Sequence, residues 1–361
     1  MPRYQITLQE TNGITAYRLQ DTERQAVAVV FPAYGNNCTE FRTTPDPDGQ
    51  AEKRSSAPVD VFVPPDNLED LVASPFHAGN PILFPFPNRV REGIYTFEGQ
   101  TYSMEALLAK GWDKGAGQAI HGLVGDRVWT VEAATADENG AVLRSFFQMD
   151  AHPDIYEQYP FPCCITVIYT LSEGVLTMRT EVANIGQSNL PMGFGIHPWF
   201  PVSLQAGNPL PASLANVMPE QRQKALVHVP AEGIWELEKL MPTGHVVSVA
   251  DAPEFDLRTF RALGEQFFDH VFTRVQSRAD GWSEGGLRDP DTGLEMYLAA
   301  DSRFREWVLY APLSRPVIAL EPYTCVTDAV NLHPQGIDAG LVTLPAGETW
   351  VGEIRFGLRH A

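Results

Sequence analysis

The chain is short of several features that mark large functional classes. Its 361 residues include only four cysteines, Cys38, Cys163, Cys164 and Cys325. Their spacing is neither a C-x-x-C motif nor a disulfide framework. Buried thiols in a reducing cytoplasm are the expected state. Basic residues are scarce: 26 Lys and Arg stand against 45 Asp and Glu, a formal net charge of −19. Such a surface repels phosphate backbones and anionic lipid, which argues against nucleic acid or a membrane as the main partner. No apolar run approaches the ~18–20 residues that span a bilayer. Met1 to Gln9 alternates in polarity where a secretory leader would carry a basic start and an apolar stretch, so a cytoplasmic location is expected. The nine histidines form no H-x-H, H-x-x-x-H or H-E-x-x-H pair, so no dedicated metal site is expected. Helical periodicity is confined to two short candidates, Asp66 to Ala73 and Ala212 to Met218, and no repeat of fixed period is present.

What is abundant is short alternation broken by turn residues. Apolar residues make up 44% of the chain and aromatics 10%, enough for a large core. Ile94 to Phe97 and Thr101 to Met104 read as a hairpin around Glu98-Gly99-Gln100. Val128 to Ala133 with Val142 to Met149, and Cys163 to Leu171 with Val175 to Val182, read as two more. Further strands are expected at Trp307 to Tyr310, Val317 to Glu321 and Trp350 to Leu358. The pattern predicts an all-β sandwich or barrel. Polar, turn-rich stretches at Thr43 to Pro58 and Asp280 to Thr292 read as exposed loops. Neither separates segments of different composition, so residues 1–361 are read as one domain.

Gly281-Trp282-Ser283-Glu284-Gly285 matches the G-x-S-x-G nucleophile elbow. That elbow needs a buried strand before it and a helix after it; polar residues and a glycine-rich turn flank it here, so a serine hydrolase is disfavoured. Two histidines sit in unusual settings. His121 lies in Ile120-His121-Gly122, and His197 in Gly195-Ile196-His197-Pro198-Trp199-Phe200, where glycine permits close backbone approach and proline fixes the chain. Glu321 ends an apolar strand, a position that suits either a satisfied structural acid or a functional one. Asp269 is flanked by aromatics, and Asn88-Arg89 follows a proline-rich run. Taken singly each is more often structural. Together they supply two groups that titrate near neutrality, carboxylates, an amide, a five-donor guanidinium and the aromatic faces of Trp199 and Phe200, which suits a sugar.

In this order, these segments resemble the aldose 1-epimerase (mutarotase) family. The matching pieces are NPILFPFPNRVREGIYTFEGQTY, HGLVGDRVW, YPFPCCITVIYTL, LTMRTEVANIGQSNLPMGFGIHPWF, PTG, FFDHVF and EPYTCVTDAVN, from Ala78 to Asn331. The residues around His197 depart from the best-known galactose mutarotases and look like a divergent His-Pro branch. The first 60 residues lie outside the resemblance and are read as an edge strand or cap.

The resemblance implies a large antiparallel β-sandwich and interconversion of the α and β anomers of an aldose, with no cofactor. It assigns Glu321, His197 and His121 to catalysis: base, acid and electrostatic partner. It makes Arg89 and Asp269 sugar-hydroxyl binders, to which Asn88 and Trp199 are added from their chemistry. The partner is then a small-molecule sugar, with a monomer and a homodimer both open. Three alternatives stand beside this reading. A hexose 6-phosphate epimerase would use Arg89 and Arg91, which share a face if they lie in one strand. A glycoside hydrolase would pair Glu321 with Asp269. A non-catalytic sugar-binding sandwich would need neither histidine as acid or base. Cys325 is read as a buried structural thiol.

Overall fold

The computed structural model describes residues 2–11, 13–46, 57–206 and 219–361. Two large antiparallel sheets dominate. One has nine strands in the order Thr130–Ala136, Ala141–Gln148, Cys163–Ser172, Val175–Asn184, Thr349–His360, Leu294–Asp301, Trp282–Asp289, Leu226–His228 and Arg261–Ala262. The other runs from Met241–Ser248 through Ala231–Glu238, Phe268–Val275, Glu306–Ala311 and Val317–Tyr323 to Gly195–Ile196 and Ile82–Leu83. Trp199–Pro201 also pairs with Val317–Tyr323. All three hairpins expected from the alternation are present, and strands cover each of the three C-terminal segments.

The alternation has a direct structural meaning. In Val175–Asn184 every second side chain is buried, so one face of the sheet enters the core. In Val317–Tyr323 every residue is buried, because both faces of that strand are covered. Its Ile318 and Leu320 join Trp307, Leu309 and Phe272 in the main core, against Leu287, Leu298, Ile354 and Phe356 of the nine-stranded sheet. The opposite face carries Glu321 and Tyr323. Val308 and Val271 on the neighbouring strands join Tyr323 in a second cluster there.

Three expectations need correction. Asp280 to Thr292 is not a loop: Trp282–Asp289 is an inner strand, and Ser283 is buried with its hydroxyl 3.1 Å from that of Ser277. A Cβ on Gly285 would lie 2.6 Å from the Trp307 ring, so this glycine lets the two sheets approach, and the segment is no nucleophile elbow. The start of the Thr43 to Pro58 stretch is not exposed either. Thr43 closes strand Asn37–Thr43, and both it and Thr44 are buried; residues 47–56 lie outside the described residues. The N-terminal portion is more than an edge strand. Tyr4–Thr11, Ile14–Asp21, Ala26–Phe31, Asn37–Thr43 and Val59–Asp60 form a five-stranded sheet whose Leu19, Val30 and Phe41 join the main core.

Of the two helix candidates, Leu68–Ala73 forms, capped by the Asn67 side chain accepting from the Asp70 amide at 2.9 Å. Ala212 to Met218 lies outside the described residues. The four cysteines are free thiols; Cys164 is half-buried and the rest are buried. No helix among the described residues is long and apolar enough to cross a membrane.

Candidate active site

A cleft of about 560 Å³ opens on the eight-stranded sheet, on the side turned away from the main core. Glu321, His197, His121, Arg89, Asn88, Asp269 and Trp199 all line it, although their sequence positions span more than 230 residues. Strand pairing explains how three of the walls meet. Glu321 sits opposite Val308, and Asp269 sits opposite Tyr310, so the two acids project from the same face of adjacent parts of the sheet.

Glu321 is about 1% exposed. One carboxylate oxygen accepts a hydrogen bond from the Tyr323 hydroxyl. The other lies 3.5 Å from Nε2 of His197. His197 follows the short strand Gly195–Ile196, and its amide donates to the Pro81 carbonyl at 2.9 Å. A Cβ on Gly195 would fall 2.3 Å from the Tyr323 ring, and one on Gly193 would fall 2.3 Å from Cys325 Sγ. The glycines before His197 therefore allow its strand to press against the strand that carries Glu321. Cys325 is buried beneath this contact and does not line the cleft.

His121 reaches the site through an unusual backbone. Its φ is 65°, and Gly122 follows with φ of 75°. A Cβ on Gly122 would stand 2.1 Å from the Phe84 carbonyl oxygen, so that position requires glycine. The His121 amide donates to the Asn88 carbonyl at 2.8 Å, and Ile120 pairs with Arg89, which brings the two motifs side by side. The imidazoles of His121 and His197 meet edge to face, with ring centres 5.3 Å apart. Nδ1 of each is buried without a hydrogen-bond partner in the protein.

Arg89 is held by a residue that sequence reasoning missed. Asp113 accepts from Arg89 Nε at 3.0 Å and Nη2 at 3.2 Å, and from the amides of Gly115, Ala116 and Gln118. The remaining guanidinium nitrogen donates to Asn88 Oδ1 at 3.1 Å. Nothing in the spacing of Asp113 announces this contact. Tyr323, also missed, carried a signal: it lies two residues beyond Glu321 in a strand and so shares its face. Phe76, Trp112 and Tyr310 add aromatic walls, and His77, Lys110 and Lys114 also line the cleft.

Two aromatic assignments change. Trp199 lines the cleft, but His197 stacks on its ring at 4.9 Å and the Arg315 guanidinium lies over it at 4.9 Å. Its indole nitrogen donates to the Phe76 carbonyl at 2.7 Å. It is a platform for His197 and has little face left for a sugar. Phe200 packs against Phe62 and Phe356 in the main core. The two arginines also part. The strand ends at Val90; Arg91 turns away, half-exposed, toward Asp328 at 3.4 Å, while Arg89 enters the cleft.

Burial governs the protonation of the site. It raises Glu321 well above the usual carboxylate range, against the hydrogen bond from Tyr323. It lowers His197 to about 3 and pushes His121 well below the usual imidazole value, the latter helped by His197 and Arg89. Asp269 is also raised by burial, with Arg89 opposing. For Asp113, burial works in the same upward direction, but Arg89 and the backbone amides outweigh it and keep the carboxylate ionised. Burial therefore favours the uncharged form of both members of the Glu321–His197 pair.

The model of the aldose 1-epimerase family matches residues 22–357, nearly the whole chain. The chain belongs to that family. A protein of Escherichia coli (strain K12), described as uncharacterized protein YihR, is 28% identical over 276 residues, 75% of this chain and 76% of that one. A galactose mutarotase-like protein from Clostridium acetobutylicum superposes with a TM-score of 0.82 at 19% identity, covering 99% of both chains. The galactose 1-epimerase from Lactobacillus acidophilus NCFM gives a TM-score of 0.70 at 14% identity over the full length of both. These structural likenesses establish a galactose mutarotase-like β-sandwich. Membership of the aldose 1-epimerase family supports isomerase chemistry on a sugar.

Proposed function

We propose that the protein interconverts the α and β anomers of an aldohexose by opening and reclosing its ring. The observation that carries this reading is the 3.5 Å approach of Glu321 to His197 Nε2 inside the cleft that also holds Arg89 and His121. Mutarotation needs one group at the C1 hydroxyl and one at the ring oxygen. Both oxygens are bonded to C1, so an acid and a base side by side suit the reaction.

Glu321 takes the proton of the C1 hydroxyl as the C1–O5 bond breaks and the C1 carbonyl forms. Sugar binding first passes a proton from Glu321 to His197 across their 3.5 Å contact, and the imidazolium then gives its Nε2 proton to O5. The aldehyde rotates about C1–C2, and the same transfers run backwards to close the ring on the other face. Opening thus converts a carboxylate and an imidazolium into a carboxylic acid and a neutral imidazole, and the pair keeps one proton throughout. The neutral arrangement that burial favours in the free site is the one that the open-chain aldehyde meets. His121 stabilises charge on the reacting oxygens, and Arg89, Asn88 and Asp269 hold hydroxyls remote from C1. The chemistry asks for no redox group or metal.

The arrangement supports this reading over its rivals. Asp269 shares the cleft with Glu321, but it is His197 that lies 3.5 Å from the Glu321 carboxylate with His121 beside it, a pairing that suits ring opening better than a glycosidase's two carboxyls. Arg89 and Arg91 do not converge as a phosphate clamp. Freshly dissolved α-D-glucose or α-D-galactose, followed by polarimetry, tests the proposal. Relaxation faster than the buffer control to the same final rotation is expected. Relaxation at the spontaneous rate across the common aldoses would turn the reading toward a sugar-binding protein.

A further inference from the structure

Where strand Phe268–Val275 leaves the eight-stranded sheet and strand Trp282–Asp289 enters the nine-stranded one, there is a small pocket of about 160 Å³. It shares no lining residue with the cleft. Two guanidinium groups, of Arg274 and Arg305, and four hydroxyls, of Thr273, Ser277, Ser283 and Ser302, line it. No Asp or Glu stands among its described lining residues, in a chain whose net charge is −19.

The backbone is bent to place one of these charges. In a regular strand side chains alternate, so Phe272 and Arg274 would share a face. Instead Phe272 and Val275, three positions apart, both pack into the main core. Arg274 is the residue that shifts the alternation, with φ of 56° in the left-handed region that arginine rarely enters. The bulge turns it to the side of Thr273: a Cβ on the facing Gly233 would stand 3.1 Å from Thr273 Cγ2 and 3.4 Å from Arg274 Cδ. Arginines elsewhere, such as Arg24, Arg179, Arg288 and Arg359, are committed to carboxylates. Arg274 makes no ion pair among the described residues.

Donors exceed acceptors in this pocket. The Ser277 and Ser283 hydroxyls lie 3.1 Å apart, a contact that uses one of their two protons. The other proton has no acceptor among the described residues, although Ser283 is only 1% exposed. The Ser302 hydroxyl is likewise without a partner there. Arg305 gives both Nη atoms to Asp338, at 3.0 and 2.7 Å, which fixes its plane and leaves Nε unused. Thr273 donates to Glu306 at 3.0 Å. Burial pushes Glu306 up to about 8, so at neutral pH it sets no charge behind the pocket. The volume is well below the roughly 300–1,000 Å³ of sites for larger organic ligands. Fixed guanidinium and hydroxyl donors in so small a space match a tetrahedral oxyanion, which accepts from both.

We propose that this pocket binds a phosphate-class oxyanion, as the free ion or as the end group of a small phosphomonoester, through Arg274, Arg305 and the Ser277–Ser283 pair. The proposal does not depend on what the cleft does. Because the cleft has cations of its own, Arg89, Lys110 and Lys114, variants at both places are compared. Calorimetric titration of the intact protein at fixed ionic strength, with inorganic phosphate and with glycerol phosphate, should show one saturable site. Arg274→Gly removes an exposed side chain at a φ that suits glycine, and should weaken binding about 10-fold or more. Ser283→Ala should weaken it about 3-fold. Arg303→Ala, which removes an exposed arginine of the same turn that pairs with Asp301, should leave it unchanged, as should Lys110→Gln/Lys114→Gln. Tighter binding of glycerol phosphate would assign an organic phosphate, and tighter binding of inorganic phosphate the free ion; either upholds the site. No saturable binding, or binding that survives both Arg274→Gly and Ser283→Ala, would overturn the proposal. Binding lost only in Lys110→Gln/Lys114→Gln would put the anion in the cleft and overturn it equally.

Discussion

Glu306 and Glu321 are two buried acids on one face of one sheet, and they have been put to different uses. Each is about 1% exposed, and burial raises both, Glu306 to about 8 and Glu321 well above its usual range. Glu306 lies across from Tyr323, two positions along the pairing from Glu321 and Val308. The difference is in what surrounds them. Glu306 accepts from the Trp235 indole at 2.8 Å and the Thr273 hydroxyl at 3.0 Å, so each oxygen has a fixed donor. Glu321 has one fixed donor, Tyr323, and turns its other oxygen toward His197 and the cleft. Burial and a displaced pKa are common to both, so neither identifies a reacting group. A free oxygen facing a second proton carrier in a cavity does.

The sharpest way to break this contrast is to neutralise each acid in turn. Glu321→Gln should lower turnover by roughly 10²–10⁴-fold with the fold intact, and His197→Asn should cause a loss of the same order. Glu306→Gln should leave turnover near the wild-type value and change only the melting temperature. Loss of activity in a well-folded Glu306→Gln protein would show that the contrast is misdrawn.

Arg89→Ala sharpens it at the binding end. The variant should raise KM with a smaller effect on kcat. It should also cost on the order of 3 kcal/mol in urea unfolding, because it strips Asp113 of its buried partner.

Stability against pH offers a further test. The folded state holds the Glu306 proton more tightly than the unfolded chain does. Its stabilising contribution is therefore complete below the usual carboxylate range and declines as pH rises through about 8. Glu321 acts in the same direction. His121 and His197 act in the opposite one: their contribution is present above the usual imidazole value and is lost on acidification. Urea midpoints should fall on both sides of a maximum between the usual carboxylate and imidazole values, and Glu306→Gln should flatten the alkaline limb. An unchanged alkaline limb would contradict the assignment.

The smallest effect is expected away from the site. Gly285→Ala places a methyl 2.6 Å from the Trp307 ring and should cost about 1–3 kcal/mol in unfolding while leaving sugar affinity alone.

The same contrast explains what the sequence made legible. Strands such as Val175–Asn184, with one face in the core, write their fold in alternating residues, and their hairpins are readable directly. Trp282–Asp289 is invisible to that reading because a glycine, Gly285, and not an apolar side chain makes its contact with Trp307. The site residues were found through local peculiarities: glycines beside each histidine, prolines before Arg89, an acid in an apolar strand. Their convergence was not readable, since it depends on strand register across the sheet. Asp113 left no trace at all, because its role is created by a distant loop returning to Arg89. The trapping of Trp199 between His197 and Arg315 was hidden for the same reason.

The most direct test of the central claim is exchange NMR on the anomeric protons of glucose or galactose at equilibrium, with wild type, Glu321→Gln and Glu306→Gln in parallel. The account predicts exchange cross-peaks between the α and β signals that grow with wild-type and Glu306→Gln enzyme and vanish with Glu321→Gln. Cross-peaks of equal strength with Glu321→Gln would show that the proton is taken by another group.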